Sequence, residues 1–211
     1  MKNYTAQSFW VYKKKGRIKE ESINTTLQED ELLVKAHYSG ISYGTEKIVF
    51  DSQVPANQYK FMRAPHQVGE FNKEVKYGYL NIGKVIDGPK AMLNKMVYTM
   101  FPHQSMYVLK SSLATLIPSH IPHKRALLTA NMETAINAMW DSNPTIGDKT
   151  YVIGAGIVGI LMAYVLSRTF GIRVTIIDKD TNKKKLCKHL DIEFENNINC
   201  IDSPDIIYEC T

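Results

Sequence analysis

Two periods of apolar and polar positions run along this chain, and the change between them divides the sequence. Short β-rich runs separated by polar, turn-prone residues occupy Ser8–Tyr12 and Glu31–Tyr38, then Val75–Asp87 with bends at Gly78 and Gly83, Lys95–Phe101, Gln104–Leu109 and Leu113–Ile117. This pattern predicts a β-dominated first domain over residues 1–122. Within it, Ser39–Glu46 (SGISYGTE) reads as a polar loop, and Asp51–Phe71, with Pro55, Pro65 and Gly69, as a connecting lobe with a short helix. Past Pro118 and Pro122 the period lengthens. Ala126, Leu127, Ala130, Met132, Ala135, Ile136 and Met139 fall on helical spacing, so a linking helix over His123–Trp140 opens a second domain, residues 123–211.

That second domain centres on Thr150–Asp178. Tyr151, Val152 and Ile153 form an apolar run without alternation, as a parallel strand covered on both faces requires. Gly154, Gly156 and Gly159 follow in the GxGxxG spacing: a tight turn, a close approach of backbone to a pyrophosphate, and close helix–strand packing. A helix apolar nearly all round runs from Ile157 to Arg168, Gly171 ends it, and a β-branched run, Val174–Ile177, finishes on Asp178. A carboxylate there, roughly 20 residues beyond the loop, accepts hydrogen bonds from a ribose diol and repels a 2′-phosphate. The predicted cofactor is therefore NAD in preference to NADP, held by Gly154, Gly156, Ile157, Val158, Gly159, Asp178 and Lys179. A membrane span over Tyr151–Leu166 is excluded, because it is shorter than the ~20 residues needed and carries the three glycines.

Composition narrows the picture only a little. The net charge of +5 comes from scattered lysines and the runs Lys13–Lys15 and Lys183–Lys185, too short and too poor in aromatics for nucleic acid, so they are read as solvated turns or helix faces. Cys187, Cys200 and Cys210 have neither disulfide-framework nor zinc-type spacing, which points to reduced thiols. The first residues, MKNYTAQSFWVYKKKG, lack a signal-peptide core, so a cytoplasmic protein without membrane partners is expected.

A β-rich region, the SGISYGTE loop, the segment GYLNIGKV, a linking helix with ANMETAINAMW and the loop GAGIVG occur here in an order that resembles the medium-chain dehydrogenase/reductase superfamily. The resemblance implies an α/β protein: a GroES-like amino-terminal domain, then a Rossmann domain, with substrate and nicotinamide meeting between them. Zinc alcohol dehydrogenases of that superfamily carry cysteine in GIC and His-Glu in GHE, where this chain has Ser42, Tyr79 and Leu80. A hydroxyl and a phenol are poor zinc ligands, and the four-cysteine structural zinc lobe is missing. The chain is thus most similar to a zinc-independent branch whose loop reads SGIS followed by GTE, a form also seen in the bacteriochlorophyllide dehydrogenase-like group.

Without a metal, a side chain must handle the proton while hydride moves between the nicotinamide and an alcohol or carbonyl substrate. Tyr79 and Tyr43 are the acid candidates, Glu46 and His103 the relay or substrate contact, and Glu133 the carboxylate near a third family ligand position. His37 and His66 are read as structural, and no serine, histidine and aspartate set suggests a hydrolase. Asp205–Cys210 reads as the fourth parallel strand, so only the first half of a six-stranded Rossmann sheet is expected, a truncated dehydrogenase with an open apolar edge. A homodimer is the assembly considered. The alternatives are a methyltransferase, disfavoured by Val152 and Ile153 where an acid usually precedes the glycines, and a non-catalytic nucleotide- or partner-binding protein.

Overall fold

Strand β1 (Tyr4–Tyr12) pairs along its whole length with β2 (Lys15–Ile23) in an antiparallel hairpin. The turn between them is Lys13-Lys14, with φ of 46° and 62°. Both values lie in the left-handed region that a two-residue hairpin needs to match the strand twist. Strand β2 corrects the sequence reading, which placed only a solvated lysine turn here. Its sequence, KGRIKEESI, lacks apolar alternation because β2 is a largely exposed edge strand, and charge on an edge discourages further pairing. These observations come from a computed structural model that describes residues 4–24, 26–198 and 203–211.

Two compact units divide between Leu128 and Thr129. In the first, the elements after the hairpin are β3 (Glu31–Ser39), α1 (Tyr43–Phe50), β4 (Val68–Gly69), β5 (Val75–Lys76), β6 (Asn81–Asp87), β7 (Met96–Thr99), β8 (Met106–Lys110), β9 (Ala114–Leu116) and a short α2 (His123–Ala126). They form one sheet in the order β2-β1-β5-β4 and another in the order β8-β3-β6-β7-β9. Leu32, Val34, Val85, Val97 and Leu109 fill a core beside the second sheet, where Phe101 stacks on Tyr107 at 3.9 Å. Each buried aliphatic side chain there contributes about 1.5–3 kcal/mol.

A buried lysine in this unit is paired with a half-buried glutamate. Lys76 Nζ lies 2.7 Å from Glu21 Oε2 and donates to Gln104 Oε1 at 2.6 Å. Ser8 Oγ donates to Glu21 Oε1 at 2.5 Å, and Trp10 Nε1 donates to Ser8 Oγ at 2.9 Å. Burial alone would raise the Glu21 carboxyl, but the bonds from Lys76 and Ser8 outweigh it and hold the group below the usual carboxylate range.

The second unit opens with α3 (Thr129–Ser142), so the single linking helix expected over His123–Trp140 is in fact two, interrupted at Leu127–Leu128. Helical spacing of alanines and leucines does not register such a break, since both sides keep the same period. Then follow β10 (Lys149–Ile153), α4 (Ile157–Ser167), β11 (Arg173–Ile177), α5 (Lys184–His189), β12 (Glu193–Glu195) and β13 (Ile206–Glu209). All strand pairs are parallel and the sheet order is β12-β11-β10-β13, which places β10 centrally with its carboxyl end at the glycine loop. Val152 and Ile176 are fully buried, as their unbroken apolar runs require. Cys187 is buried and Cys210 partly so, both free thiols, while Cys200 lies outside the described residues. Among the described residues, no helix is long and apolar enough to cross a membrane.

Candidate functional site

Two sets of side chains are organised for chemistry, one in each unit. In the second, the loop between β10 and α4 places Gly156 at the N-cap of α4, with no side chain to cap the helix. The first-turn amides, those of Ile157, Val158 and Gly159, have no carbonyl ahead of them in the helix and face the loop, a favourable place for an anion. A Cβ on Gly156 would meet nothing within 4 Å, whereas one on Gly159 would lie 1.8 Å from the Gly154 carbonyl oxygen. The second glycine thus leaves room above the loop and the third permits backbone contact below it. Asp178, at the end of β11, accepts from the Ala155 amide at 2.6 Å and from the Asp180 amide at 2.8 Å. Its oxygens are fixed beside the loop and retain lone pairs for a diol. Lys179 is exposed. This donor and acceptor set fits a dinucleotide.

In the first unit, His103 joins Ser39 and Glu46. Its Nδ1 lies 2.5 Å from Ser39 Oγ and its Nε2 2.5 Å from Glu46 Oε2. Because a carboxylate only accepts, Nε2 carries a proton toward Glu46, which leaves Nδ1 of the neutral ring to accept from the Ser39 hydroxyl. Three local features hold this chain in place. Ser39 ends β3, the strand that registers against β6. The His103 backbone is tied on both sides, its amide donating to Tyr77 O at 3.1 Å and its carbonyl accepting from Phe9 at 2.9 Å. Glu46 Oε1 accepts from the Ser42 amide at 2.8 Å, a back-bond to the N-cap of α1.

The last bond explains a second correction. The stretch expected as a loop to Glu46 is a loop only to Ser42, and Tyr43–Glu46 form the first turn of α1. Two glycines and a polar composition hid the helix start. Ser39 itself was not singled out from the sequence. Its signal is the sequence-distant partner His103, which only the pairing of β3 brings near. The trio of Ser39, His103 and Glu46 is a serine, histidine and glutamate set. It is not built as an acyl-transfer site, however: the Gly40 amide that follows Ser39 donates to Leu80 O at 2.7 Å and is unavailable as an oxyanion donor.

Glu46, His103, Ser39 and Tyr43 all border a mostly apolar cavity of about 560 Å³ within the first unit. Phe9, Val11, Val49, Phe50 and Tyr77 supply its apolar walls, and Lys47 and Asp51, ion-paired to each other, its remaining charge. Tyr79 does not line it. Its ring packs edge-on against Tyr77 at 6.2 Å, and it is Tyr77 that joins Tyr43 at the wall, its hydroxyl donating to Met62 O at 2.7 Å and its pKa driven upward by burial. Glu133 is exposed on α3, in the second unit. His66 stacks on Phe101 at 4.8 Å, away from this trio.

The three positions compared with zinc ligands in the sequence carry other side chains. Leu80 is buried, Tyr79 is packed on Tyr77, and Ser42 offers a hydroxyl alone. Among the described residues, no three His, Cys, Asp or Glu side chains gather as a metal site.

Residues 152–182 match the model of the NAD(P)-binding Rossmann-like domain. Solved structures match nearly the whole chain. A short chain alcohol dehydrogenase from Escherichia coli complexed with NADH aligns with a TM-score of 0.76 and 16% identity, over 97% of this chain and 69% of its own. L-idonate 5-dehydrogenase from Escherichia coli aligns with a TM-score of 0.79 and 15% identity, over 99% and 70%. A putative zinc-binding dehydrogenase from Sinorhizobium meliloti bound to NADP gives 0.76 and 13%, over 98% and 70%. The fold is the one that these dehydrogenases share. Its two units correspond to a GroES-like and a Rossmann domain, as the sequence motifs imply. No curated protein matches in sequence.

Proposed function

We propose that the protein is an oxidoreductase that transfers a hydride between NAD and an alcohol or carbonyl compound without catalytic zinc. The observation that carries this is the uncapped α4 N-terminus beneath an open Gly156, with Asp178 fixed beside it. When bound, the nicotinamide supplies the hydride acceptor or donor. The Asp178 carboxylate favours NAD, since a 2′-phosphate would meet a like charge. In the oxidising direction, Ser39 Oγ accepts the substrate hydroxyl proton and passes its own to His103 Nδ1. The imidazolium so formed is stabilised by Glu46.

Titration with NADH and NADPH, read by nicotinamide fluorescence, tests the cofactor half. NADH should bind more tightly than NADPH, and Asp178→Ala should weaken NADH by about tenfold, the value of a hydrogen bond to a charged group. Absence of binding by either nucleotide sinks the proposal. A nucleotide-binding protein without turnover is the second reading, favoured by the replaced ligands Ser42, Tyr79 and Leu80. Hydride transfer to any alcohol or aldehyde excludes it.

A further inference from the structure

The cavity of the first unit has a definite chemical character. Its walls are Phe9, Val11, Val49, Phe50 and Tyr77, and its volume of about 560 Å³ is in the range of small-molecule pockets. Each charge on its lining already has a partner: Glu46 with His103, and Lys47 with Asp51. A charged ligand entering here would lose its hydration and find no unpaired counter-ion. A polyol would leave most of its hydroxyls against aliphatic and aromatic carbon. Ser39 and His103 offer a hydrogen-bonding group on the lining, and the remaining neutral polar side chain free of a described partner there is the largely exposed Tyr43.

We infer that this cavity binds an uncharged, largely apolar molecule of one or two rings, with a single hydroxyl or carbonyl directed to Ser39 and His103. This deepens the proposed function and rests on it, because it identifies the occupant as the molecule whose proton Ser39 takes. The ring fills the apolar walls and contributes most of the affinity, while the one oxygen fixes orientation.

The test uses the full chain, isotopically labelled and without nucleotide, titrated with 2-naphthol, 2-naphthoate and sorbitol while amide shifts are followed by NMR. 2-Naphthol should bind at least tenfold more tightly than 2-naphthoate, sorbitol should not bind, and the shifts should centre on α1, β1 and His103. Val49→Trp, which fills the cavity, should abolish naphthol binding in a chain whose circular dichroism is unchanged. Should that variant not fold, Asp51→Asn decides. By freeing Lys47 it should raise naphthoate affinity severalfold relative to naphthol. No binding by any probe, a naphthoate preference in the parent chain, retention of naphthol by folded Val49→Trp, or an unchanged ratio in Asp51→Asn overturns the inference. Because 2-naphthol has no carbinol hydrogen to give up as hydride, turnover is read with 2-naphthalenemethanol and NAD; binding of that alcohol without turnover leaves the inference standing and sinks hydride transfer instead.

Discussion

Gly78→Ala tests whether the position of His103 is built into the backbone. Gly78 has a φ of +119°, a conformation that only glycine adopts freely, and a Cβ placed there would lie 2.9 Å from His103 Nε2 and 3.0 Å from Cδ2. The strain of an L-residue at that φ costs about 1–2 kcal/mol. The contact must also be relieved, and since the His103 backbone is tied to Tyr77 and Phe9, the imidazole has to swing away from Glu46. Losing a hydrogen bond to a charged partner costs a further ~1.5–3 kcal/mol. The expected destabilisation in urea unfolding is therefore about 2.5–5 kcal/mol. In a His103→Ala background the ring is gone, and the same substitution should cost only the strain of about 1–2 kcal/mol. NADH affinity should be unchanged in either background, because the glycine loop belongs to the other unit. Additive costs in this double-mutant cycle would refute the claim that Gly78 makes room for the ring.

Three further outcomes are expected. Gly156→Ala should leave the unfolding free energy within about 0.5 kcal/mol of the parent, since no atom lies within 4 Å of the added methyl, yet it should lower NADH affinity at least tenfold by occupying the approach of the pyrophosphate; equal losses of stability and binding would count against the open-loop geometry. His103→Ala and Glu46→Gln should each lower kcat on a ring-bearing alcohol by roughly 10²–10⁴, with NADH affinity intact. Because the Glu21 carboxyl is held below its ordinary value of 4.5, the unfolded chain takes up the proton first as pH falls. Stability present above about pH 4.5 should thus be lost progressively below it, and the slope in thermal unfolding should be shallower in Glu21→Gln.

The elements that were legible in the sequence are those whose burial is uniform along their length. β10, α4 and β11 read directly from TYVIGAGIVGILMAYVLSRTFGIRVTIID because both faces of the strands and most of the helix are covered. Strand β2 was illegible for the opposite reason: exposed on the sheet edge, its lysines and glutamates carry no alternation to detect. Start of α1 was masked by Gly44 and by a serine N-cap whose hydroxyl makes no cap bond, the capping being done by Glu46 reaching backward. The trio in the first unit shows a limit of another kind. His103 and Glu46 stood out as residue types in suggestive loops, but Ser39 is 64 positions from His103 and becomes its partner only through strand pairing.

The pair of buried Lys76 and half-buried Glu21 acts as a check on how the hairpin closes. Glu21 belongs to β2, Lys76 to β5 and Gln104 to the segment before β8, so one ammonium group on β5 ties its strand to two others distant in sequence. If β2 closed on β1 one residue out of step, Glu21 would turn to the opposite face and leave the Lys76 charge buried without its carboxylate, a state several kcal/mol above the native one. Exposed strands such as β2 have little apolar surface with which to choose their alignment, and here an ion pair supplies the missing penalty. Hydrogen exchange along β2 in a Glu21→Leu, Lys76→Met chain should show protection lost in β2 while overall stability changes little, and undiminished protection would mean that the lysine turn alone sets the alignment.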